Sequence, residues 1–470
     1  MKNVIFREYD IRGLVDKEFT IQESYILAQA IVTYLKNKNP QINSLIVARD
    51  GRNHSPAIRD NIIKAITDMG INVLDIGICP TPVFYFALFN TNIKSGIMIT
   101  ASHNPAQYNG MKICLDTKSV YGSQIQEIKN ICETKNFYIN NLKNLGTVTF
   151  QDINSPYINW LSDNFAHLKN YEINALIDCG NATGGVIIPE LIKKMGWKNV
   201  KALYENLDGN FPNHEADPTN IKNMQDIFNL LKTDNNLELG LGLDGDCDRM
   251  SPMTKTGFLV PGDQLLAIFA QKILLQYPGA PIVFDIKASS GLIELLQKWG
   301  ANDQICASGH SLIKQKLYDT NAKLAGELSC HFFFNDKYFG YDDGIYAILR
   351  LFEIIKESGK SLDKLLEIFP KKESSPEFRI ACKEEDKEKI VNHVKDTFKQ
   401  NKEYSSLTID GIRATKTNSW GLVRASNTQP VICLRFESST KDDLNNIKKE
   451  FYEALKPYFN LKELRDTLEL

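Results

Sequence analysis

The segment Thr100-Ala101-Ser102-His103-Asn104-Pro105 places a serine hydroxyl in a turn directly after the apolar run Gly96–Thr100. Far downstream, Asp244-Gly245-Asp246-Cys247-Asp248-Arg249 offers three carboxylates at alternate positions, followed by a guanidinium. An unassisted serine hydroxyl is a poor nucleophile. A phosphorylated serine is a phosphoryl donor with a charge of about −1.5 to −2 at neutral pH. Carboxylates can hold a divalent cation that neutralises such charge as it moves. Together the two segments suggest a serine that carries a phosphoryl group beside a divalent metal.

Each segment has competing readings. In an extended strand, alternate residues lie about 6.6 Å apart, twice the ~3.3 Å rise. The aspartates can share an ion only if the chain curls, which Gly245 favours. An EF-hand loop needs glycine at its sixth position and glutamate at its twelfth. Arg249 and Lys255 stand there, so that reading fails. A solvated acidic turn stays open for the aspartates, as does an N-cap or turn role for Ser102. No GxSxG elbow surrounds Ser102, which argues against a serine hydrolase.

Two further clusters carry polar groups. Gly326-Glu327-Leu328-Ser329-Cys330-His331 combines a glutamate and a serine able to bond vicinal hydroxyls with a histidine able to bond a hydroxyl or exchange a proton. A buried, hydrogen-bonded histidine beside Phe332-Phe333-Phe334 is the alternative. Arg424-Ala425-Ser426-Asn427-Thr428-Gln429-Pro430 has the makings of a phosphate cradle: a guanidinium, two hydroxyls, an amide and backbone N–H groups. A polar turn between strands is the alternative there. Arg12, Lys112, Lys287, His310 and Lys314 are further basic groups.

These motifs need elements to hold them. Apolar runs of strand length alternate with amphipathic helical stretches in three successive regions. The first has strands at 44–48, 71–76 and 96–100 with helices near 56–69 and 83–89. The second has strands at 174–179, 200–204 and 237–243 with helices near 186–195 and 221–231. The third has a strand at 281–286 among helices near 263–276, 291–299 and 311–318. Such alternation predicts βαβ units and mostly parallel sheets. Both opening motifs fall at carboxyl ends of strands, where ligands of open α/β sheets bind. A helix over 342–358 ends at Gly359, and 370–376 reads as a linker. The tail then changes to an α+β pattern: strands at 378–382, 407–412, 421–425 and 431–436, a charged helix at 384–400, and a last helix from Thr440, where Thr440 and Asp443 resemble a capping box.

The bulk composition narrows the class. A chain of 470 residues splits into roughly three or four domains. Its net charge of −2 gives no reason to expect a nucleic-acid or membrane partner. The nine cysteines are scattered without a CxxC pair, against a zinc ribbon or a disulfide framework and in keeping with a reducing cytoplasm. Charges interrupt the first ten residues too early for a signal peptide, and no apolar run reaches the roughly 18 residues of a membrane helix.

Taken together, the motifs resemble the α-D-phosphohexomutase superfamily along essentially the whole chain, most closely its bacterial phosphomannomutase/phosphoglucomutase branch. Phe6-Arg7-Glu8-Tyr9-Asp10-Ile11-Arg12-Gly13 looks like that branch's N-terminal signature. Thr100–Pro105, continued by Tyr108-Asn109-Gly110-Met111-Lys112, resembles its phosphoserine loop. Asp244–Arg249 is similar to its metal loop, Gly326–His331 to its sugar-recognition loop, and Arg424–Pro430 to its phosphate-binding loop.

The resemblance implies three similar α/β domains with mixed, mostly parallel sheets plus a C-terminal α+β domain around a central cleft. The expected divisions are 1–152 with the phosphoserine loop, 153–256 with the metal loop, 257–369 with the sugar loop and 370–470 with the phosphate loop. It implies Mg²⁺ held by Asp244, Asp246, Asp248 and a phosphate oxygen on Ser102. Ser102, Arg12, Lys112, Arg249 and His331 are the implied catalytic group. Tyr9, Lys287, His310, Glu327, Ser329, Arg424, Ser426, Asn427 and Thr428 are the implied substrate contacts. The implied reaction interconverts hexose 1-phosphate and hexose 6-phosphate, of mannose or glucose, through phosphoserine and a hexose 1,6-bisphosphate that also serves as activator. Alternatives are a phosphoglucosamine mutase, a phosphoserine-dependent sugar phosphatase and a non-catalytic sugar-phosphate binder. A cytoplasmic monomer without nucleic-acid or membrane partners is expected. Cys330 and Cys247 depart from the family pattern, which has glycine and a small residue there, and Ala288-Ser289-Ser290 lacks the arginines of the nearest relatives.

Overall fold

Among the described residues four β-sheets organise the chain, and the central parallel strands of its α/β sheets are buried on both faces. Leu45, Ile46, Val47 and Ala48 are all fully buried in the strand Ser44–Arg49, as expected where helices cover both sides of a sheet. The computed structural model describes residues 1–140, 144–426 and 430–470. It forms two compact units, Met1–Lys272 with Ser329–Leu366, and Ile273–Leu328 with Glu367–Leu470.

In the first unit, one sheet runs in the order Ile11–Leu14, Tyr108–Leu115, Gly96–Ile99, Ser44–Arg49, Asn72–Ile78, Val148–Phe150. The last four are parallel neighbours, and Tyr108–Leu115 is antiparallel to both of its own. Ser44–Arg49 and Gly96–Ile99 therefore end side by side, which brings Asp50-Gly51-Arg52 next to Thr100–Pro105. A second sheet has the order Met250–Thr254, Leu239–Leu243, Ala175–Asp178, Val200–Leu203. Its first two strands are antiparallel and pair Leu243 with Met250, so Asp244–Arg249 is the loop of a hairpin. The helix Gly344–Ser358 is capped by Asp343, whose carboxylate accepts from Tyr346 N at 2.8 Å, and stops at Gly359 with φ 63°.

In the second unit, Asn302–Cys306, Pro281–Asp285 and Leu324–Gly326 are parallel. The C-terminal sheet is antiparallel, built on the long pairing of Ser419–Ala425 with Val431–Ser438. Phe398, Phe436 and Phe451 fill the core between that sheet and its helices Lys387–Gln400 and Lys441–Leu455. Thr440 accepts from Asp443 N at 3.1 Å, so the expected cap is formed.

The sequence expectations differ from the structure in places. The strand expected at 407–412 is a tight turn between Ser405–Leu407 and Ile412–Thr415. Gly411 has φ 69° there, and a Cβ on it would lie 2.1 Å from Val423 O; Asp410-Gly411 was the turn signal. The segment expected as a linker contributes a short edge strand, Glu373 opposite Ser438 and Ser374 opposite Glu437. All nine cysteines are unbridged. Among the described residues no helix is long and apolar enough to cross a membrane.

Candidate active site

Ser102 sits in the left-handed region, with φ 48°, in the turn that leaves the strand Gly96–Ile99. Arg52 explains how so tight a turn is held. Its guanidinium is only 1% exposed and donates to the carbonyls of Ser102, Asn104, Pro105 and Tyr108, and to Asp50. Ser102 Oγ lies 2.9 Å from Asp244 Oδ2 and 3.1 Å from His103 Nδ1. A Cβ added at Gly245 would meet the Ser102 carbonyl oxygen at 2.5 Å. The serine turn and the aspartate hairpin are therefore in main-chain contact, and glycine at 245 permits it.

Asp244, Asp246 and Asp248 are buried, and one oxygen from each lies within 4.8 Å of the others. The curl comes from Cys247, at φ 60°. Burial, then the neighbouring Asp248 and Asp246, push Asp244 well above the usual carboxylate range. Burial would also raise Asp248, but Lys112, His331 and Arg249 together outweigh it and pull that carboxyl down. Lys112 Nζ bridges Asp246 Oδ2 at 2.7 Å and Asp248 Oδ2 at 2.5 Å. Burial works against the charge on Lys112, yet these two carboxylates hold its pKa above the ordinary value. Thr81 Oγ1 donates to Asp246 Oδ2 at 2.6 Å. Asp246 Oδ1 remains buried with no hydrogen-bond partner. Three crowded carboxylates, one driven toward its neutral form and one with an unused acceptor atom, make a group fit to hold a metal ion.

Cations surround the serine. Arg249 Nη2 donates to His103 Nδ1, and its Nε lies 3.7 Å from Asp244 Oδ2. Burial, with Arg249 and Arg12 beside it, drives the His103 ring well below its ordinary pKa. Arg12 Nη1 donates to Asn104 Oδ1 at 2.9 Å, and its Nη2 pairs with Asp10. Tyr9 is half-buried just before the strand Ile11–Leu14. His331 Nε2 accepts from Arg249 Nε at 3.1 Å. Ser329 is half-buried in the turn just ahead of it.

The second unit gathers its own group. Lys287 Nζ is 3.4 Å from Asp285 Oδ2 and 3.9 Å from Glu377 Oε2. Burial opposes its charge, but Asp285, Glu377 and Glu327 keep its pKa raised. Glu327 is 3% exposed and accepts from Gly309 N at 3.1 Å, next to His310 at the start of the helix His310–Thr320. Asp410 accepts from Ser308 N at 3.1 Å and from Arg424 Nε at 2.8 Å, which ties the His310 turn to the arginine. Lys387 Nζ donates to Ser426 O at 2.7 Å. Lys314 is buried. Asn427 and Thr428 lie outside the described residues.

The first unit thus brings Ser102, the aspartates, Lys112, Arg249, Arg12 and His331 together, and the second assembles Lys287, His310, Glu327, Arg424 and Ser426. Sequence reasoning missed Arg52, Thr81, Asp285 and Asp410. The available signal for Arg52 was a charged residue in the turn at the carboxyl end of a predicted strand. Thr81 and Asp410 carry no such signal, because their partners lie far away in sequence. Cys330, like Cys247, has positive φ, 66°. The backbone at both departures is thus the kind glycine adopts most readily.

Family models match the chain in four successive segments. Phosphoglucomutase/phosphomannomutase alpha/beta/alpha domains I, II and III match residues 3–139, 155–257 and 261–372, and the C-terminal domain matches 377–454. A Pseudomonas aeruginosa phosphomannomutase/phosphoglucomutase is 39% identical over 453 residues, covering 96% of this chain and 95% of that protein. A Neisseria meningitidis phosphoglucomutase is 37% identical, covering 97% and 98%. The crystal structure of a Burkholderia thailandensis phosphoglucomutase/phosphomannomutase family protein superposes with a TM-score of 0.89 at 33% identity, covering 98% and 99%. On these grounds the chain belongs to the phosphoglucomutase/phosphomannomutase family of α-D-phosphohexomutases, enzymes that interconvert hexose phosphates.

Proposed function

We propose that this phosphohexomutase works through a phosphorylated Ser102, with mannose or glucose phosphates as substrates. The observation that carries this reading is Ser102 Oγ lying 2.9 Å from a buried aspartate of a three-carboxylate group, with Arg249 and Lys112 alongside. In the first transfer the P–O bond to Ser102 Oγ breaks and a bond forms to the free hydroxyl oxygen of the hexose monophosphate. The hydroxyl proton leaves to a base, and a hexose 1,6-bisphosphate results. In the second transfer the other phosphoryl group returns to Ser102 and its sugar oxygen regains a proton. A divalent cation held by Asp244, Asp246 and Asp248, with Mg²⁺ the candidate, would neutralise phosphoryl charge. Arg249 and Arg12 supply fixed positive charge, and Lys112 is held as an ammonium by its carboxylates. Tyr9, Lys287, His310, Glu327, Ser329, Arg424, Ser426, Asn427 and Thr428 make up the recognition set for hydroxyls and the phosphate that is not transferring.

The four matched segments support a division at 1–152, 153–256, 257–369 and 370–470, the third running across the two compact units. A cytoplasmic monomer acting on small hexose phosphates, with the bisphosphate as activator, completes the reading.

The test is product analysis. Glucose 1-phosphate and mannose 1-phosphate should each yield the 6-phosphate with a trace of 1,6-bisphosphate, and intact-mass analysis should find one phosphoryl group on Ser102. Ser102→Ala should lose turnover. Release of inorganic phosphate instead would favour a phosphatase. Preference for glucosamine 1-phosphate would favour the glucosamine mutase. Ligand binding without turnover by the intact protein would favour the binder.

A further inference from the structure

Ser308, two residues before His310, sits between two carboxylates. Its Oγ donates to Asp285 Oδ2 at 3.2 Å, and its backbone N–H donates to Asp410 Oδ2 at 3.1 Å. Asp285 ends the strand Pro281–Asp285 and is fully buried. Its Oδ1 accepts from Leu328 N at 3.2 Å, between Glu327 and Ser329, and its Oδ2 lies 3.4 Å from Lys287 Nζ. Asp285 thus holds the Ser308 turn to the sugar loop and to Lys287. Asp410 holds the same turn to a different partner, because its Oδ2 also accepts from Arg424 Nε at 2.8 Å.

The hairpin explains how Asp410 reaches both. Ile412 pairs with Val423 where the strands Ile412–Thr415 and Ser419–Ala425 begin to run together. The Cβ that Gly411 lacks would also meet Arg424 Cα, at 2.7 Å. The turn therefore rests directly on the backbone of the arginine, with Asp410 beside its side chain. Both side chains of the pair are shielded, 13% exposed for Asp410 and 9% for Arg424. A guanidinium is a planar fork of donors, so a bond on Nε fixes the plane in which the others point. An arginine left unheld would lose rotamer freedom on meeting a ligand. It would also be repelled by its neighbour: burial, and Arg424 among the nearby charges, oppose the ammonium of Lys287, while Asp285, Glu377 and Glu327 favour it.

We infer that Asp410 is a positioning residue that fixes the Arg424 guanidinium to the Ser308–His310 turn, so that both are set in place before the phosphate that is not transferring arrives. The inference rests on the reading of Arg424 and His310 as recognition residues. Asp410 acts through Arg424 and is not itself a substrate contact. The Ser308 N–H anchors the carboxylate, and the carboxylate orders the arginine. Order that exists before binding is order the ligand does not have to impose, so its loss shows as weaker binding. A phosphate remote from the reacting atoms is held alike in the ground state and the transition state, and loss of such binding raises KM with kcat little changed.

The experiment uses the full chain and glucose 1-phosphate. Asparagine suits turns as aspartate does, so Asp410→Asn should keep the hairpin while removing the charge that holds the guanidinium. Its KM should rise about 10- to 100-fold, the range for residues that orient a binding group, with kcat changed less than about threefold and the melting midpoint near that of wild type. Arg424→Ala should raise KM at least as far. Asp410→Asn combined with Arg424→Ala should stay within about threefold of Arg424→Ala alone, because two residues that act through one contact do not add. A merely structural role would lower the melting midpoint and leave KM in place. An Asp410→Asn enzyme with unchanged KM overturns the inference, as does a loss confined to kcat, or a double variant whose KM rise is the product of the two single ones. If Asp410→Asn does not fold, Asp410→Ser, another turn residue, faces the same criteria. Arg424→Ala with a wild-type KM would overturn the parent assignment of Arg424, whereas an impaired Arg424→Ala beside an unimpaired Asp410→Asn would overturn this inference alone.

Discussion

Arg52 Nη2 donates to the carbonyl oxygen of Ser102 at 2.7 Å, and the same guanidinium reaches the carbonyls of Asn104 at 2.6 Å, Pro105 at 2.7 Å and Tyr108 at 3.1 Å. A lysine can keep the charge but cannot span these acceptors, because it lacks the planar fork. Arg52→Met should therefore strip Asp50 of its buried counter-charge and several carbonyls of a buried donor, and destabilise the fold by about 3–5 kcal/mol. Arg52→Lys should cost less stability and still lower kcat. Denaturant titration alongside steady-state kinetics checks both, and a Met variant as stable as wild type would contradict the clamp.

The close approach of Gly245 to Ser102 gives a second expectation. The atom that a new methyl group would strike is a backbone oxygen, which cannot rotate away. Gly245→Ala should separate the serine turn from the aspartate hairpin. Misplacement on the scale of 1 Å can cost about 10²-fold in rate. A kcat loss of that order with intact far-ultraviolet circular dichroism is the expected result.

Asp343 links pH to stability. Tyr157 Oη and Tyr338 Oη each donate to its Oδ2 at 2.8 Å, yet burial still pushes its pKa up to about 6 from 3.8. A carboxyl whose folded pKa is raised favours the fold most when protonated. Its contribution is full below about pH 4 and declines as pH rises toward and through 6, by up to about 3 kcal/mol. Relative to Asp343→Asn, the wild type should lose stability across that window as pH increases. Urea midpoints for both proteins between pH 4 and 7 measure this, and parallel curves would count against it.

Metal binding should register in stability as well as in rate. Burial, then the neighbouring Asp248 and Asp246, raise the Asp244 pKa, and Lys112 pairs directly with Asp246 and Asp248. A divalent cation at about a hundredfold over its Kd stabilises the folded state by about 2.7 kcal/mol. Added Mg²⁺ should raise the apparent melting midpoint of the wild type and leave that of Asp246→Asn unmoved. Chelation should abolish turnover reversibly.

Much of this arrangement can be read from the chain. The serine turn and the aspartate loop announce themselves because each packs several reactive groups into six residues at a strand end, and the helix ends at Thr440 and Gly359 carry local signals. Contacts set by strand order are not legible in the same way. Arg52 meets Ser102 only because two strands distant in sequence lie side by side. Asp410 was read as part of a strand because Leu407–Ile412 looks apolar enough, and only the positive φ at Gly411 shows the turn that carries it. Asp342 looks like the first residue of a helix, whereas Asp343 is the cap and Asp342 faces the histidine. Local pattern identifies groups able to do chemistry; long-range pairing chooses the residues that aim them.

Arg413 in the second unit stacks over Trp420 at 3.8 Å and donates to the carbonyls of Ile286 and Ala288, while Arg435 donates to that of Lys287. The C-terminal sheet therefore addresses this loop through its peptide oxygens, which every amino acid possesses. Ser290 Oγ adds a hydrogen bond to Glu437 Oε1 at 2.7 Å, so the arginine-free stretch 288–290 keeps Lys287 anchored through peptide oxygens and a serine hydroxyl.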